Sequence, residues 1–318
     1  MGFDNIIGHE KQKSLLLSFL EKERLPHAFL FAGQDGIGKK RTAIEFTKYI
    51  FCAKSAGCGK CIPCLKVERG VHPDLLFVEG ENSIGIEQSR MISKEIYEYP
   101  YESNKRVIII DRADTMTHEA TNALLKTLEE PPPFNVFFLI TASERSIPLT
   151  VRSRCTRMAF SPLTKDNLKQ YFLELHKMDG GKAQLFSQIS CGSIGCGLFW
   201  MEENNLLFRR TLVELVTGKN RSFLDTTIIS EKVSKNSKDV SIYLSFLLSF
   251  FRDMFLVSNH KDTAMIINRD VRELLEGEVV DLKWIDTSIR SIQEAIHTMR
   301  YNVNKWLVFE NLLLQIMR

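Results

Sequence analysis

A glycine-rich segment, GQDGIGKK over residues 33–40, has the residue types and spacing of a phosphate-binding loop. Gly33, Gly36 and Gly38 let the backbone turn its N–H groups inward, and Lys39 stands where a lysine reaches the β and γ phosphates of a nucleotide. An apolar run precedes the segment and a helical pattern follows it, as such a loop requires. The sequence therefore predicts a nucleotide-binding site here.

Two residues at this site are unsuited to hydrolysis. The motif calls for Ser or Thr after the lysine, to ligate Mg²⁺, but the chain has Lys40. A second apolar run ends in Asp111, a position from which a carboxylate holds the metal, and it is followed by Arg112 where an acid would polarise the attacking water. We expect ATP binding to be weak or absent and hydrolysis to be slower by orders of magnitude.

Four thiols form a second chemical cluster, with the spacing C-x₅-C-x₂-C-x₂-C: Cys52, Cys58, Cys61 and Cys64. Four thiolates this close together can close a tetrahedron around Zn²⁺, which leaves no open position for water. The spacing therefore predicts a structural zinc site. An iron–sulfur cluster and a set of free thiols are the alternatives, although the C-x₃-C-P continuation typical of ferredoxins is absent.

The elements that must position these residues change character along the chain. Up to about residue 160, apolar runs alternate with helical patterns, and these runs are residues 28–33, 74–80, 106–114 and 136–143. Continuous apolar strands indicate a parallel sheet that is covered on both faces. From about residue 162 onward, apolar residues recur at helical spacing, for example at Leu247, Phe250, Phe251 and Met254. The sequence predicts an α/β domain followed by an all-helical part.

Composition excludes several classes of protein. The chain has 318 residues, of which 44% are hydrophobic and 25% are charged, with a formal net charge of +3. These values are ordinary for a globular protein and argue against disordered, collagenous or coiled-coil chains. Bulk charge does not indicate a nucleic-acid or membrane binder. We expect no membrane span, because the continuous apolar runs are short, and a cytoplasmic location, because the N-terminus lacks the pattern of a signal peptide.

Taken together, these motifs resemble the clamp-loader subunits of bacterial DNA polymerase III, in the AAA+ superfamily, and among them the delta-prime subunits. The segments that carry the resemblance are residues 27–40, the four-cysteine insert followed by 72–76, and residues 106–133, 139–155 and 302–316. The stretch 111–133 together with Ser153-Arg154-Cys155 is highly specific, whereas a phosphate loop alone is not.

The resemblance implies a three-domain subunit of a five-membered assembly. The domains are an AAA+ P-loop-like α/β domain over residues 1–162, with the zinc module at about 51–74, a helical lid over 163–203, and a C-terminal helical collar over 204–318. The implied partners are the gamma/tau and delta subunits and, through the assembly, a sliding clamp and primer-template DNA, with no membrane. Arg154 is implied to be an arginine finger, which reaches the γ-phosphate held by a neighbouring subunit.

Three functions remain open at this stage. In the leading hypothesis, the chain is a stator that does not hydrolyse ATP itself and donates Arg154 in trans. In the second, it is an active gamma/tau-like motor subunit. In the third, the zinc module docks nucleic acid or protein and the rest of the chain is a scaffold.

Overall fold

The computed structural model describes residues 2–54, 56–80, 83–85, 87, 95–218, 223–235, 237–259, 265–275, 281–299 and 303–317. The zinc module, the collar domain and the motif at 302–316 each include residues outside this set. The chain folds as two compact units. One is Met1–Asn167 with Gly192–Gly195, and the other is Leu168–Cys191 with Cys196–Arg318. The three-domain division stays a prediction.

The first unit is built around five strands, which are β1 (Ala28–Ala32), β2 (Leu75–Val78), β3 (Arg106–Ile110), β4 (Asn135–Thr141) and β5 (Thr156–Ala159). All neighbouring pairs are parallel, and the strand order is β2-β3-β4-β1-β5. Its helices are α1 (Glu10–Glu21), α2 (Lys39–Phe51), α3 (Ile62–Glu68), α4 (His118–Glu129) and α5 (Leu149–Arg152). Short 3₁₀ turns lie at Phe3–Asn5, Ala113–Thr115 and Glu144–Ser146.

The sheet is covered on both faces, which explains its continuous apolar strands. All residues of β1, β3 and β4 are buried. On one face Phe29, Phe31 and Phe138 pack with Phe46 of α2, and the rings of Phe29 and Phe138 stack with centroids 5.1 Å apart. On the other face Leu124 of α4 joins the apolar cluster. The sheet therefore holds the ends of its strands, where the site lies, in fixed register.

The remaining described elements are helical. They are α6 (Lys165–Glu174), α7 (Gly180–Ile189), α8 (Ile194–Met201), α9 (Glu203–Val216), α10 (Phe223–Ser234), α11 (Ser237–Ser258), α12 (Arg272–Leu275), α13 (Leu282–Thr298) and α14 (Lys305–Ile316), with a 3₁₀ turn at Arg269–Val271. Helix α11 packs on α13, and α10 and α13 both pack on α14. Phe250, Phe251 and Leu247 of α11 are fully buried.

Helix α11 bears on the expectation that no membrane span is present. The stretch Asp239–Ser258 is long and apolar enough to cross a membrane by length and composition alone. The sequence analysis did not single it out as a span, because its apolar residues do not form one continuous run. Half of the tested stretch is buried inside the protein, as in the core helix of a soluble domain, so the helix is weak evidence for a span.

The predicted fold class is confirmed: a parallel α/β sheet precedes a helical region. The four predicted strands are present, but the sequence analysis missed β5. This strand lies at the edge of the sheet, next to β1, and only Met158 of its four residues is buried. A half-exposed edge strand lacks the continuous apolar run that marks the central ones.

Candidate nucleotide and metal sites

The predicted phosphate loop connects β1 to α2 at the carboxyl edge of the sheet. Gly36 and Gly38 have positive φ angles of 72° and 104°, a region that glycine enters without steric cost. Gly38 is the N-cap of α2, and Lys39 is the first residue of the helix. The loop thus has the position expected for binding phosphate at a helix N-terminus.

Lys39 is turned back onto its own loop. Its Nζ donates hydrogen bonds to the carbonyl oxygens of Gly33, at 2.5 Å, and Gln34, at 2.7 Å. The side chain is buried, and this burial lowers the pKa of Lys39, although nearby Asp35 and Asp111 oppose the shift. In this structure the ammonium therefore binds the loop, and a phosphate would have to compete with two backbone carbonyls for it.

Lys40 lies among groups that a metal-binding site would use. Its Nζ is 2.8 Å from Oε2 of Glu79 and 3.3 Å from Oδ2 of Asp111. The same ammonium lies 4.3 Å from the centroid of the Phe77 ring, within range of a cation–π contact. One cation thus connects the start of α2 with the ends of β2 and β3.

Asp111 and its neighbours form a tight turn after β3. Oδ1 of Asp111 accepts a hydrogen bond from the backbone N–H of Arg112 at 3.0 Å, and Arg112 has a positive φ of 56°. Three residues after Asp111, the Asp114 carboxylate accepts a hydrogen bond from Oγ1 of Thr141 at 2.8 Å. The ends of β3 and β4 are therefore joined by side-chain bonds beside the phosphate loop.

The segment Gly192–Gly195 closes over the other side of the loop. The backbone N–H of Gly195 donates to the Gly36 carbonyl at 2.9 Å, and Oγ of Ser193 donates to the Asp35 carbonyl at 2.8 Å. A Cβ placed on Gly36 would lie 2.5 Å from the Ser193 hydroxyl oxygen. The loop is consequently held by this segment and has no room for a side chain at Gly36.

Arg154 lies at the surface of the first unit, two residues after α5. Its Nη1 donates to the Thr150 carbonyl at 2.7 Å, and its Nη2 lies 2.7 Å from Oε1 of Glu129, the last residue of α4. The Arg154 side chain is 33% exposed and that of Glu129 is 50% exposed. The guanidinium is therefore within reach of solvent and is held by an exposed carboxylate.

The four predicted metal ligands are brought together. The Sγ atoms of Cys52, Cys58, Cys61 and Cys64 all lie within 4.8 Å of one another. Those of Cys52 and Cys61 are 3.9 Å apart, close to the edge of about 3.8 Å that Zn–S bonds of about 2.3 Å give a tetrahedron. Cys52 and Cys64 are buried. Four thiolates in this arrangement fit a metal ion that prefers sulfur ligands.

The thiols at this site differ in acidity. Burial opposes ionisation of Cys52, but hydrogen bonds from backbone N–H groups, first those of Cys58 and Ala56, outweigh it and lower the pKa of Cys52 to about 6. Burial raises the pKa of the Cys64 thiol. Hydrogen bonds from backbone N–H groups, first that of Lys60, also lower the pKa of Cys58. Since metal ligands must be deprotonated, Cys52 and Cys58 are prepared for binding, whereas a metal must deprotonate Cys64.

A partly buried ion-pair network joins the cysteine cluster to the helix that follows the phosphate loop. On α2, Nζ of Lys48 is 3.0 Å from Oε1 of Glu45, and both side chains are almost fully buried. Lys48 also contacts Glu68 of α3, and this hydrogen bond is the largest cause of the lowered pKa of Glu68. Helix α3, which carries Cys64, is therefore fastened to α2.

The sequence analysis missed Glu79 and Glu129 as parts of these sites. Glu79 directly follows β2, as Asp111 directly follows β3, and Val78 and Ile110 are register partners in adjacent parallel strands. The rule that carboxyl ends of parallel strands share one edge could have placed Glu79 beside Asp111. No comparable signal pairs Glu129 with Arg154, because their contact depends on how α4 ends relative to α5.

Comparisons with known proteins fit this geometry. A family described as "DNA polymerase III, delta subunit" matches residues 8–164. The delta-prime subunit of DNA polymerase III from Bacillus subtilis is 37% identical over 163 residues, which cover 50% of this chain and 50% of that protein. The tau subunit from the same organism is 26% identical over 320 residues, which cover 92% of this chain and 54% of tau. The chain thus spans about half the length of these curated relatives.

One solved structure shows a similar fold. The crystal structure of a DNA polymerase III gamma-subunit-related protein from Thermotoga maritima superposes with a TM-score of 0.52 and 19% sequence identity, covering 96% of this chain and 98% of that one. The two proteins thus share a fold, which in this chain consists of a parallel five-stranded sheet with a phosphate loop, followed by helices.

Proposed function

We propose that this chain, which belongs by its residues 8–164 to the clamp-loader subunit family of DNA polymerase III, is the stator of such a loader, a delta-prime-type subunit that does not hydrolyse ATP itself. In this role it occupies a fixed place in a hetero-oligomer and completes the ATP site of a neighbouring subunit. The proposal includes cytoplasmic action in DNA replication, with gamma/tau and delta subunits as partners and with the sliding clamp and primer-template DNA reached through the assembly.

The contacts of Lys40 are the observation that carries the proposal. Its ammonium, bound between Glu79 and Asp111, supplies positive charge where a hydrolysing site would hold Mg²⁺. Arg112 follows Asp111, so the general base that would activate water is absent from that position as well. A nucleotide in this loop would lack both metal and base.

The second part of the proposal assigns Arg154 to a neighbour's ATP. Its guanidinium is permanently charged and can donate two parallel hydrogen bonds to phosphate oxygens. The exposed ion pair with Glu129 is a contact that an incoming phosphate can displace at low cost. Arginine fingers accelerate phosphoryl transfer by factors on the order of 10³–10⁵.

The third part concerns the cysteine cluster, to which we assign a structural Zn²⁺ held by Cys52, Cys58, Cys61 and Cys64. Four thiolates saturate a tetrahedral zinc ion, so no position is left for a reacting water molecule. A zinc ion bound here would fix the loop between α2 and α3 and would have no direct part in ATP chemistry.

Substitution of Arg154 in the reconstituted loader tests the proposal. We expect Arg154→Ala to reduce the DNA-stimulated ATPase activity severalfold while the subunits still assemble, as checked by size-exclusion chromatography. Arg157→Ala is the matched control, because Arg157 is an exposed arginine nearby on β5, paired with Glu144. Unchanged turnover of the Arg154 variant would remove the role in trans.

A measurement on the isolated chain tests the other half of the proposal. The purified protein should release no phosphate from ATP above background in the presence of Mg²⁺ and primed DNA. Turnover by the chain alone would instead support an active motor subunit, the alternative that kinship with the tau subunit keeps open.

A further inference from the structure

Two acidic side chains lie side by side at the carboxyl edge of the sheet, and one lysine faces both. Glu79 follows β2 and Asp111 follows β3, in strands whose last residues, Val78 and Ile110, are register partners. The Asp111 side chain is 15% exposed, so water screens its charge only in part. Two neighbouring carboxylates repel each other unless a cation lies between them.

Lys40 provides that cation with the geometry of direct ion pairs. The distance of 2.8 Å from its Nζ to Glu79 is typical of a charge-assisted hydrogen bond, and the distance of 3.3 Å to Asp111 is within ion-pair range. The ring of Phe77, on β2, lies 4.3 Å from the same nitrogen and adds a cation–π contact. Three groups at the ends of two strands thus contact one ammonium, whose side chain remains 38% exposed.

We propose that Lys40 is a positioning residue that serves as a tethered counter-ion, holding Asp111 and Glu79 together without metal and keeping divalent cations out of this edge. Mg²⁺ requires near-octahedral oxygen ligands at about 2.0–2.1 Å, and the ammonium occupies the space between the two carboxylates that such an ion would use. The carboxyl edge then keeps one shape whether or not metal and nucleotide are available.

The role of Lys40 in the loader rests on the proposed function, because only a subunit that does not hydrolyse ATP would benefit from a site that stays the same with and without ATP. The exclusion of divalent cations by Lys40 can be tested without ATP or partner subunits. Unchanged ATPase activity of a loader with Arg154→Ala would overturn the proposed function. Unchanged metal affinity of Lys40→Ala would overturn the role of Lys40 as a tethered counter-ion. The two failures are therefore distinguishable.

The test is a titration of the full-length chain with Mn²⁺, a spectroscopic probe for Mg²⁺ sites, followed by electron paramagnetic resonance. We expect Lys40→Ala to bind Mn²⁺ at least about tenfold more tightly than wild type, because the two carboxylates lose the cation that contacts both of them. The double variant Lys40→Ala with Asp111→Asn should lose this gain. Lys11→Ala, which removes the same charge from an exposed position on α1, is the matched control and should bind as wild type does.

Recovery of thermal stability on addition of Mg²⁺ gives a second readout, one that loss of a merely structural lysine would not produce. The melting temperature of Lys40→Ala should be lower than that of wild type without metal and should recover with Mg²⁺, whereas wild type and the double variant should not respond. If Lys40→Ala does not fold, Lys40→Met, which keeps most of the side-chain length and adds no oxygen ligand, serves in the same two experiments. Equal Mn²⁺ affinity of wild type and the Lys40 variants, an equal gain in Lys11→Ala, or a gain that survives Asp111→Asn would each overturn the proposal.

Discussion

Nη2 of Arg154 lies 2.7 Å from Oε1 of Glu129, which is the last residue of α4. The pair is partly exposed, and exposed ion pairs contribute only about 0–1 kcal/mol to stability. Glu129 therefore orients the guanidinium through a contact weak enough to be replaced by another anion. The proposed role of Arg154 is compatible with such a weak contact, because the guanidinium would have to leave Glu129 to reach another subunit's phosphate.

Substitution of Glu129 should separate the ion pair from the proposed role of Arg154. We expect Glu129→Gln to change the melting temperature little, because the pair is exposed, and to leave the ATPase activity of the reconstituted loader near wild type. Arg154→Ala should lower that activity severalfold in parallel assays. An equal loss in both variants would mean that the ion pair, and not a released guanidinium, is what the loader needs.

The chemistry of both sites could be predicted from the sequence, because it depends on residue types at short spacing. The four cysteines and the loop from Gly33 to Lys39 are local motifs, and the structure brings the thiols together as the spacing required. The sequence also showed that position 40 has a lysine and lacks the hydroxyl that would ligate Mg²⁺. The partners of this lysine, Glu79 and Asp111, could be predicted only once β2 and β3 were placed next to each other in the sheet.

Contacts over long stretches of sequence account for the rest of what was missed. Ser193 and Gly195 donate hydrogen bonds to Asp35 and Gly36 from more than 150 residues away, and neither local spacing nor periodicity predicts these bonds. The edge strand Thr156–Ala159 has too little burial to produce an apolar run. Sequence patterns report burial and local spacing, whereas these features depend on the packing of the whole unit.

The two glycines of the phosphate loop should differ in their tolerance of alanine. Both have positive φ, so either substitution costs about 1–2 kcal/mol of backbone strain. At Gly36 the new methyl would also lie 2.5 Å from Oγ of Ser193 and 2.9 Å from Cα of Gly195, whereas at Gly38 nothing lies within 4 Å. We expect Gly36→Ala to lower the free energy of unfolding by about 1–3 kcal/mol more than Gly38→Ala, as measured by urea denaturation. Equal losses would contradict the close contact with the 192–195 segment.

Substitution of one cysteine of the cluster should abolish metal binding and destabilise only the loop around the cluster. We expect Cys64→Ser to bind less than one zinc per chain, by elemental analysis, and to have a lower melting temperature, because Cys64 is a buried member of the cluster. Cys155→Ser, outside the cluster, is the control and should keep its zinc. Visible absorption typical of iron–sulfur clusters in the wild type would contradict zinc. Loss of partner or DNA binding by a folded Cys64 variant would instead support a docking role for the module.

His9 should make the stability of the first unit depend on pH. Its Nε2 lies 2.8 Å from the Ile37 carbonyl of the phosphate loop, so the nitrogen donates this hydrogen bond, and burial lowers the pKa of His9 below its ordinary value of 6.5. Because the folded state disfavours the charged ring, the unfolded chain binds the proton more readily. The contribution of His9 is complete above pH 6.5 and declines as the pH falls from 6.5 through the folded-state pKa, by at most about 1.4 kcal/mol per pH unit.

Comparison with His9→Gln isolates this effect, because glutamine can donate a similar bond but does not titrate. Free energies of unfolding should be measured by urea denaturation from about pH 7.5 to about pH 5.5 for both proteins. We expect the wild type to lose more stability than the variant over the acidic half of this range. Proton-linked metal release at the cysteines affects both proteins alike and cancels in the difference. Parallel pH profiles would show that His9 titrates equally in the folded and unfolded chain, and that burial does not hold the ring neutral.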